Sequence, residues 1–150
     1  GEGQYFDYSQ AEAASNLIGP QLLDYSVNGR LPEPQGNSSE LMGPHGIYRC
    51  TGEDSWVAIA VKNDDQWRKF KKVMDKQSKA HEKKFDTLSG RINARDELDS
   101  CIQVWTNKQS SQDVVSTLQS VGIAAGELST SPELKEATPS GFLEAWSTPT

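Results

Sequence analysis

Residues 43–67 read GPHGIYRCTGEDSWVAIAVKNDDQW, and their pattern predicts a β-hairpin that runs directly into a helix. The second strand, WVAIAV at 56–61, is apolar at every position, so we expect it to be buried on both faces. The polar segment TGEDS at 51–55 is the predicted turn between the strands. Asn63 or Asp64 then caps the helix. The apolar side of that helix carries Trp67, Phe70, Val73 and Met74.

The segments before the hairpin predict a strand, a long helix and a loop. QYFDYS, at 4–9, alternates in the manner typical of a strand. Ser9 and Glu12 form a capping box at the start of the helix, and Pro20 is expected to kink this helix or split it in two. Residues 30–46 form a long loop rich in Pro, Gly and Ser, which is uncommon unless it is functional or a linker.

The segments after the hairpin predict mainly helices. We expect helices over about 89–107 and 110–122, a short extended segment GIAAGEL at 122–128, and a last short helix SPELKEA at 131–137. The predicted fold class is therefore α+β: a strand hairpin surrounded by several helices. The chain begins at Gly1 without a methionine, and we expect this residue to lie inside a larger fold.

Composition narrows the class of protein. The net charge of −6 argues against a dedicated nucleic-acid binder, because such proteins are usually basic. No apolar run reaches the roughly 18 residues that a membrane span requires, and no signal peptide is evident. Cys50 and Cys101 lie too far apart for a C-x-x-C motif, so we predict buried free thiols in a reducing cytoplasm.

Basic residues concentrate in one part of the chain. Eleven of the fifteen Lys and Arg residues lie between Lys62 and Arg95, and only five acidic residues share that span. One interpretation is an anion-attracting patch for phosphate groups, including those of nucleic acid. The other is a solvated helix face that balances acidic residues elsewhere, which is the commoner arrangement and the one we favour.

Four segments, taken in order, carry a resemblance to a known family: residues 1–30, 44–67, 85–105 and 118–128. The family is the family III CoA-transferases of the CaiB/BaiF type, which include formyl-CoA transferase, carnitine CoA-transferase and α-methylacyl-CoA racemase. GEGQYFDYSQAEAASNLIGPQLLDYSVNGR, at 1–30, resembles the strand and long helix that follow the family's catalytic region, and residues 44–67 resemble the entry into its small domain. FDTLSGRINARDELDSCIQVW, at 85–105, resembles the pattern F-x-T…R-x-x-N-x-x-E-L-D. LQSVGIAAGEL, at 118–128, resembles L-x-x-x-G-I/V-P-A-G-x-V, with Ala124 in place of the usual proline.

The resemblance implies a mechanism. An aspartate attacks the acyl-CoA thioester to form a mixed anhydride, CoA thiolate converts it to an aspartyl-CoA thioester, and the acceptor acid takes the CoA through a second anhydride. In the racemases of this fold, an aspartate and a histidine instead move the proton α to the thioester carbonyl. In both cases the family's catalytic residues precede the GEGQ segment. They would lie before Gly1, so we expect no catalytic residue in this chain and no activity from it alone.

The resemblance also implies an organisation and partners. Residues 1–36 would be the edge of a larger α/β domain with a linker, and residues 37–150 the small domain that contains the strand hairpin. The full enzyme would be a cytoplasmic, interlocked homodimer that acts on a CoA thioester and a carboxylic acid without a metal, a membrane or nucleic acid. A 2-methylacyl-CoA racemase of the same fold and a non-catalytic binding module remain alternatives.

The loop before the hairpin is the best candidate for a substrate site, because the matching region in formyl-CoA transferase is a glycine-rich loop over the active site. His45 would face substrate or bond a loop carbonyl, and we favour the carbonyl. No metal site is predicted, since His81-Glu82 lacks the second histidine of H-E-x-x-H. The substrate-loop candidates are Asn37, Ser38, Ser39, Glu40, Gly43 and His45. The residues matching the family pattern, expected to cap and order a helix start, are Arg91, Asn93, Arg95 and Glu97.

Overall fold

The computed structural model describes residues 3–129, and the chain divides into two compact units between Gly36 and Asn37. Six α-helices and one three-stranded antiparallel sheet lie within the described residues, which confirms the predicted α+β class. No helix in this part of the chain is long and apolar enough to cross a membrane. The helix predicted at 131–137 lies outside the described residues.

The first unit contains two consecutive helices, α1 (Gln10–Leu17) and α2 (Gly19–Asn28). The hydroxyl of Ser9 accepts a hydrogen bond from the amide of Glu12 at 3.4 Å, which confirms Ser9 as the N-cap of α1. Pro20 lies in the first turn of α2, where the missing N–H removes no helical hydrogen bond. The long predicted helix is therefore split in two, as the proline indicated.

The prediction of a strand at 4–9 is wrong. Residues 3–9 carry no regular secondary structure, and the side chains of Tyr5, Phe6 and Tyr8 are 93%, 79% and 71% exposed. A strand requires a neighbour for its backbone hydrogen bonds, and the described residues of the first unit include no other strand. The alternating sequence alone therefore does not produce a strand here.

The second unit begins with the hairpin and continues through four helices to a third strand. The amide oxygen of Asn63 accepts from the backbone N–H of Gln66 at 2.9 Å, which confirms the predicted helix cap. Two 3₁₀ turns lie between the first and second helices of this unit, at Lys79–His81 and Lys83–Phe85. The other elements are β1 (His45–Arg49), β2 (Trp56–Ala60), α3 (Asp64–Val73), α4 (Leu88–Asn93), α5 (Arg95–Thr106), α6 (Ser111–Ser120) and β3 (Ala124–Glu127).

The sheet has the order β1-β2-β3, and one of its faces forms the core. Tyr48 of β1 pairs with Val57 of β2, and both side chains point into this core together with Ile59. Helix α5 packs against β1, and α6 packs against β2 and β3. The aromatic centre of the core includes Phe70, whose ring makes edge-to-face contacts with Trp67 and Trp105.

The expectation that β2 is buried on both faces is wrong. Val57, Ile59 and Val61 are at most 2% exposed, whereas Trp56, Ala58 and Ala60 on the opposite side are only half-buried. The helices cover the face that carries Val57 and Ile59. The alanine face instead borders an open hollow, so its apolar residues are not enclosed.

The helix predicted over 89–107 is interrupted at Ala94, and α4 and α5 are separate. Helix α4 packs against the 3₁₀ turn Lys83–Phe85, whereas α5 packs on β1. The interruption lets each helix keep its own neighbour, which a periodic sequence pattern does not reveal. Leu98, Ile102 and Trp105 of α5 are buried in the core.

Two glutamines contact the outer edges of the sheet. Gln103 of α5 accepts from the backbone N–H of Arg49 at 3.1 Å and donates to its carbonyl at 2.8 Å. On the opposite edge, the amide of Gln119 donates to the carbonyl of Ala125 at 2.9 Å. Backbone groups of both edge strands thereby receive partners from the helices packed beside them.

Candidate functional site

The candidate site is built on residues 37–44, here called the entry loop, which lead into β1. At the C-terminal end of this loop the N–H of Gly43 donates to the carbonyl of Val61 at 3.1 Å, and the N–H of Val61 donates to Pro44 at 2.8 Å. Gly43 and Pro44 are buried and joined by a cis peptide bond. This end of the loop therefore continues the hydrogen-bonding pattern of the hairpin.

His45 contacts the start of the entry loop. Its Nδ1 lies 2.6 Å from the carbonyl oxygen of Asn37. A carbonyl can only accept, so Nδ1 carries the proton in this contact. The prediction that His45 bonds a loop carbonyl is confirmed.

Arg95 holds the middle of the entry loop. Its Nη2 donates to the carbonyl oxygen of Ser39 at 2.8 Å, and the hydroxyl of Ser39 accepts from the N–H of Leu41 at 3.1 Å. The following tip of the loop presents Glu40 and Leu41 to solvent, and Leu41 is 78% exposed. The loop is thus fixed through its backbone while its tip remains accessible.

Arg91 anchors the end of the entry loop from inside the protein. The side chain is 1% exposed, and its Nε donates to the carbonyl of Gly43 at 2.5 Å. Nη1 donates to the carbonyl of Phe85 at 3.0 Å, and Nη2 to the carboxylate of Asp64 at 2.8 Å. The guanidinium carbon also lies 5.5 Å from the centroid of the Trp67 ring, in the geometry of a cation–π contact.

The expected capping role of the family-pattern residues is wrong for both arginines. Helix α4 is capped by Thr87, whose hydroxyl accepts from Gly90, and α5 has no side-chain cap. Arg91 and Arg95 instead reach carbonyls of the entry loop about fifty residues earlier in the chain. Their four-residue spacing was visible in the sequence, but the distant acceptors were not.

A partly buried polar pair lies beside Arg95. The hydroxyl of Tyr48 donates to the carboxylate of Asp99 at 2.6 Å. Burial raises the pKa of Asp99, while the hydrogen bond from Tyr48 and the charge of Arg95 oppose that rise. Burial, assisted by the Asp99 charge, also raises the pKa of Tyr48 far above its ordinary value. Tyr48 is therefore a neutral donor at physiological pH.

An open hollow of about 550 Å³ lies over the uncovered face of the sheet. Asn37 and His45 border it, so the hollow adjoins the start of the entry loop. This volume lies within the range of small-molecule pockets. The small apolar side chains of Ala58, Ala60 and Ala124 are among those that line the hollow.

Four of the eleven basic residues between Lys62 and Arg95 form ion pairs with acidic residues. Lys84 contacts both Glu82 and Glu97, at 3.1 and 2.6 Å. Further pairs join Lys71 to Asp86, Arg68 to Asp65 and Arg91 to Asp64. The exposed pairs of Lys84 and Arg68 are the arrangement expected of a solvated, balanced face. A separate cleft of about 830 Å³ beside α5 has Lys76, Lys79 and Lys108 on its rim.

The predicted substrate-loop candidates do not form a single cluster. Asn37 meets His45, and Ser39 meets Arg95, whereas Gly43 lies in the buried anchor. Ser38 is half-buried and Glu40 is exposed at the tip. Within residues 3–129, no group of three or more His, Cys, Asp or Glu side chains is placed to hold a metal ion.

Comparison with known proteins connects this architecture to one family. The sequence model of CoA-transferase family III matches residues 1–149. A probable CoA-transferase of Mycobacterium tuberculosis is 26% identical over 137 residues, covering 91% of this chain. Succinate–glutarate CoA-transferase of Agrobacterium fabrum is 24% identical over 134 residues, and succinyl-CoA–D-citramalate CoA-transferase of Chloroflexus aurantiacus is 26% identical over 134 residues; each match covers 89% of this chain.

The fold is also similar to a solved structure. A CaiB/BaiF family protein from Brucella suis superimposes with a TM-score of 0.78 at 23% identity, covering 95% of this chain and 37% of that protein. The chain spans only 17% of the Mycobacterium relative and 33% of the Agrobacterium and Chloroflexus relatives. The match is therefore to one part of these larger proteins.

Proposed function

The chain belongs to CoA-transferase family III, and from this premise we propose that its full-length protein is an acyl-CoA:carboxylate CoA-transferase. Residues 37–150 form the small domain in this proposal, and residues 1–36 form the edge of the large domain with a linker. The observation that carries the proposal is the family match over residues 1–149. The division of the chain between Gly36 and Asn37 is compatible with this assignment.

The proposed chemistry is covalent catalysis by a carboxylate. An aspartate outside this chain attacks the thioester carbonyl and expels CoA thiolate, leaving an acyl–aspartyl anhydride. The thiolate attacks the aspartyl carbonyl, releasing the donor acid and forming an aspartyl-CoA thioester. The acceptor carboxylate then attacks the aspartyl-CoA thioester, expelling CoA thiolate and forming a second anhydride. The thiolate attacks the acceptor carbonyl of this anhydride, which gives the acceptor-CoA thioester and regenerates the aspartate. The expectation that no metal takes part comes from the family resemblance.

Within this scheme the entry loop is the part of the chain that approaches substrate. Its backbone is fixed at Asn37, Ser39 and Gly43, and its tip is accessible. A fixed loop with an exposed tip is suited to forming one wall of a site completed by other parts of the protein. Two aspartates at the start of α3 form ion pairs: Asp64 with Arg91, and Asp65 with Arg68.

The names of the relatives suggest the substrates to try first. Succinate or succinyl-CoA appears in the names of the Agrobacterium and Chloroflexus relatives, with glutarate and D-citramalate as the second acids. We propose succinyl-CoA as the donor and a short dicarboxylic acid as the acceptor. At 24–26% identity this is a starting point for a substrate panel.

The experiment is a transfer assay on the full-length protein. The protein is incubated in deuterated water with succinyl-CoA and glutarate, D-citramalate or mesaconate, and products and protein are analysed by mass spectrometry. We expect a new CoA thioester of the acceptor and a CoA-sized adduct on one aspartate. Absence of transfer to every acid in a broad panel of donors and acceptors would refute the proposal.

The same assay distinguishes the alternatives. Deuterium at the α carbon of a 2-methylacyl-CoA, without an adduct, would establish a racemase. Neither transfer nor exchange would favour a non-catalytic binding module. Residues 1–150 alone are the matched control, and we expect them to be inactive because the proposal places the aspartate elsewhere.

Two further parts of the proposal concern the assembly and its location. We propose an interlocked homodimer in the cytoplasm, as the family resemblance implies. Light scattering of the purified full-length protein should give twice the chain mass, and fractionation should place it with soluble cytoplasmic markers. A monomer that is active in the transfer assay would contradict the interlocked arrangement.

A further inference from the structure

One face of the three-stranded sheet is apolar and is left uncovered by the described residues. Ile47 of β1 and Leu128, just after β3, are 38% and 39% exposed. Ile47 pairs with Ala58 of β2, and Trp56 lies half-buried on the same side of that strand. This surface, here called the open face, lies opposite the face that forms the core. Contiguous exposed apolar surface is typical of a place where another segment or protein binds.

The described residues end beside the open face. The N–H of Leu128 donates to the carbonyl of Trp56 at 3.1 Å, which continues the pairing of β2 with β3 by one residue. Ser129 follows and lines a hollow of about 600 Å³ together with Ile47 and Trp56. The rest of the chain, residues 130–150, therefore starts next to the open face.

Residues 130–150 contain one strongly apolar stretch, GFLEAW at 141–146. It brings three large apolar side chains close together in the sequence: Phe142, Leu143 and Trp146. Aromatic side chains of this size each remove roughly 150–250 Å² of surface from water when they are buried. A covering surface for this stretch is therefore strongly favoured.

We propose that the GFLEAW segment folds back onto the open face of its own chain, where its large apolar side chains contact the sheet. Residues 130–140 can span roughly 35 Å when extended. The outer strands of a three-stranded sheet are only about 10 Å apart, so the open face lies within reach of the segment. The inference does not rest on the proposed function.

The open face suits the segment in shape and in charge. Ala58 and Ala60 project little from the sheet, and the hollow of about 550 Å³ above them has room for large rings. Arg49 is exposed, with its guanidinium carbon 5.7 Å from the centroid of the Trp56 ring. Glu144, in the middle of the segment, carries the opposite charge.

The edges of the sheet direct the segment to the face. Gln103 bonds both backbone groups of Arg49, and Gln119 bonds the carbonyl of Ala125. A further strand added at either edge would have to displace these glutamines. Contact with the open face leaves their hydrogen bonds intact.

The first test is disulfide trapping in the full-length protein. The variant Ala58→Cys/Ala145→Cys places one thiol on the open face and one in the segment, and it keeps the three large apolar side chains. The control Ser116→Cys/Ala145→Cys places the first thiol on an exposed position of α6, which packs on the core side of the sheet. We expect the 58–145 disulfide to form within one chain, at least about tenfold faster than the 116–145 disulfide, because the segment holds its thiol at a high effective concentration. Peptide mass spectrometry distinguishes these disulfides from those of the native cysteines.

The second test measures access to the open face. In the single variant Ala58→Cys, the new thiol should react slowly with iodoacetamide because the segment covers it. Adding Trp146→Ser should accelerate this labelling about tenfold, since it populates the uncovered state. Leu134→Ser is the matched control: it removes a large apolar side chain outside the segment and should leave the rate unchanged. Buried Cys50 should stay unlabelled throughout, which shows that the domain remains folded.

The other outcomes overturn the inference. A 58–145 disulfide between two chains would assign the open face to the segment of a second copy. Slow labelling that Trp146→Ser does not change would mean that a different part of the protein covers the face. Fast labelling before that substitution would mean that the face is bare. None of these readouts requires CoA transfer, so failure of the proposed function is observed separately.

Discussion

Arg91 and Gly43 are 48 residues apart in the chain, yet the guanidinium of one donates to the carbonyl of the other at 2.5 Å inside the protein. The same side chain donates to Phe85 and Asp64. Acceptors from three separate segments thus share one planar, permanently charged donor. A guanidinium suits this task because its five N–H groups point in fixed directions.

Replacing Arg91 by methionine should strongly destabilise the protein. Arg91→Met keeps much of the volume but leaves the carbonyls of Gly43 and Phe85 without their donor, so we expect a loss of about 3 kcal/mol in the free energy of unfolding. Equilibrium unfolding in urea measures the change. The control Arg68→Met alters an exposed pair and should cost less than about 0.5 kcal/mol. A loss below about 1 kcal/mol for Arg91→Met would mean that these carbonyls find other partners.

Gly90 should tolerate no side chain. A Cβ at this position would lie 1.8 Å from the carbonyl oxygen of Lys84, a backbone atom that cannot rotate away. Gly90→Ala must therefore push α4 from the preceding 3₁₀ turn, and we expect a cost of about 2–3 kcal/mol. Gly126→Ala is the control, because its Cβ would meet nothing within 4 Å. Thermal unfolding that is equal for the two variants would contradict the close approach of α4 to Lys84.

Tyr48 should make the protein sensitive to alkaline pH. Burial and the charge of Asp99 raise the pKa of Tyr48 above the ordinary value of 10.0. Above that value the unfolded state releases this proton and the folded state retains it, so stability falls as pH rises, by up to about 1.4 kcal/mol per pH unit. The stability that the retained Tyr48 proton contributes is fully present at pH values below the pKa of Tyr48 in the unfolded state.

Tyr48→Phe tests this dependence. At neutral pH the free energy of unfolding of the variant should be about 1 kcal/mol lower, because the hydrogen bond to Asp99 is lost. Above pH 10.0 the stability of the variant should fall less steeply than that of the wild type. Urea unfolding at several pH values gives both slopes. Tyr25→Phe removes an exposed hydroxyl and serves as the control. Parallel slopes for wild type and Tyr48→Phe would show that Tyr48 ionises equally in both states.

The elements that the sequence predicted correctly are those governed by neighbouring residues. The hairpin follows from the apolar run 56–61 and the polar turn before it, and the caps at Ser9 and Asn63 follow from side chains that reach only three residues along the chain. The wrong strand at 4–9 shows the limit of this reasoning. Its alternation is local, but a strand depends on a partner that local sequence does not supply.

The candidate site was only partly predictable for the same reason. The loop and the contact of His45 with a carbonyl were anticipated, because both concern residues close in sequence. The anchors Arg91 and Arg95 were not, since their acceptors in the loop lie 48 and 56 residues away. Only the packing of α4 and α5 beside the hairpin brings these groups together.

Gln103 and Gln119 have a consequence for the behaviour of the protein at high concentration. An exposed strand edge can recruit a strand from another molecule, which is the first step of cross-β aggregation. Here Arg49 on one edge and Ala125 on the other already bond these glutamine amides. An incoming chain would have to break those bonds before it could pair. The two glutamines thus act against intermolecular β-pairing while the alanine face of the sheet remains open.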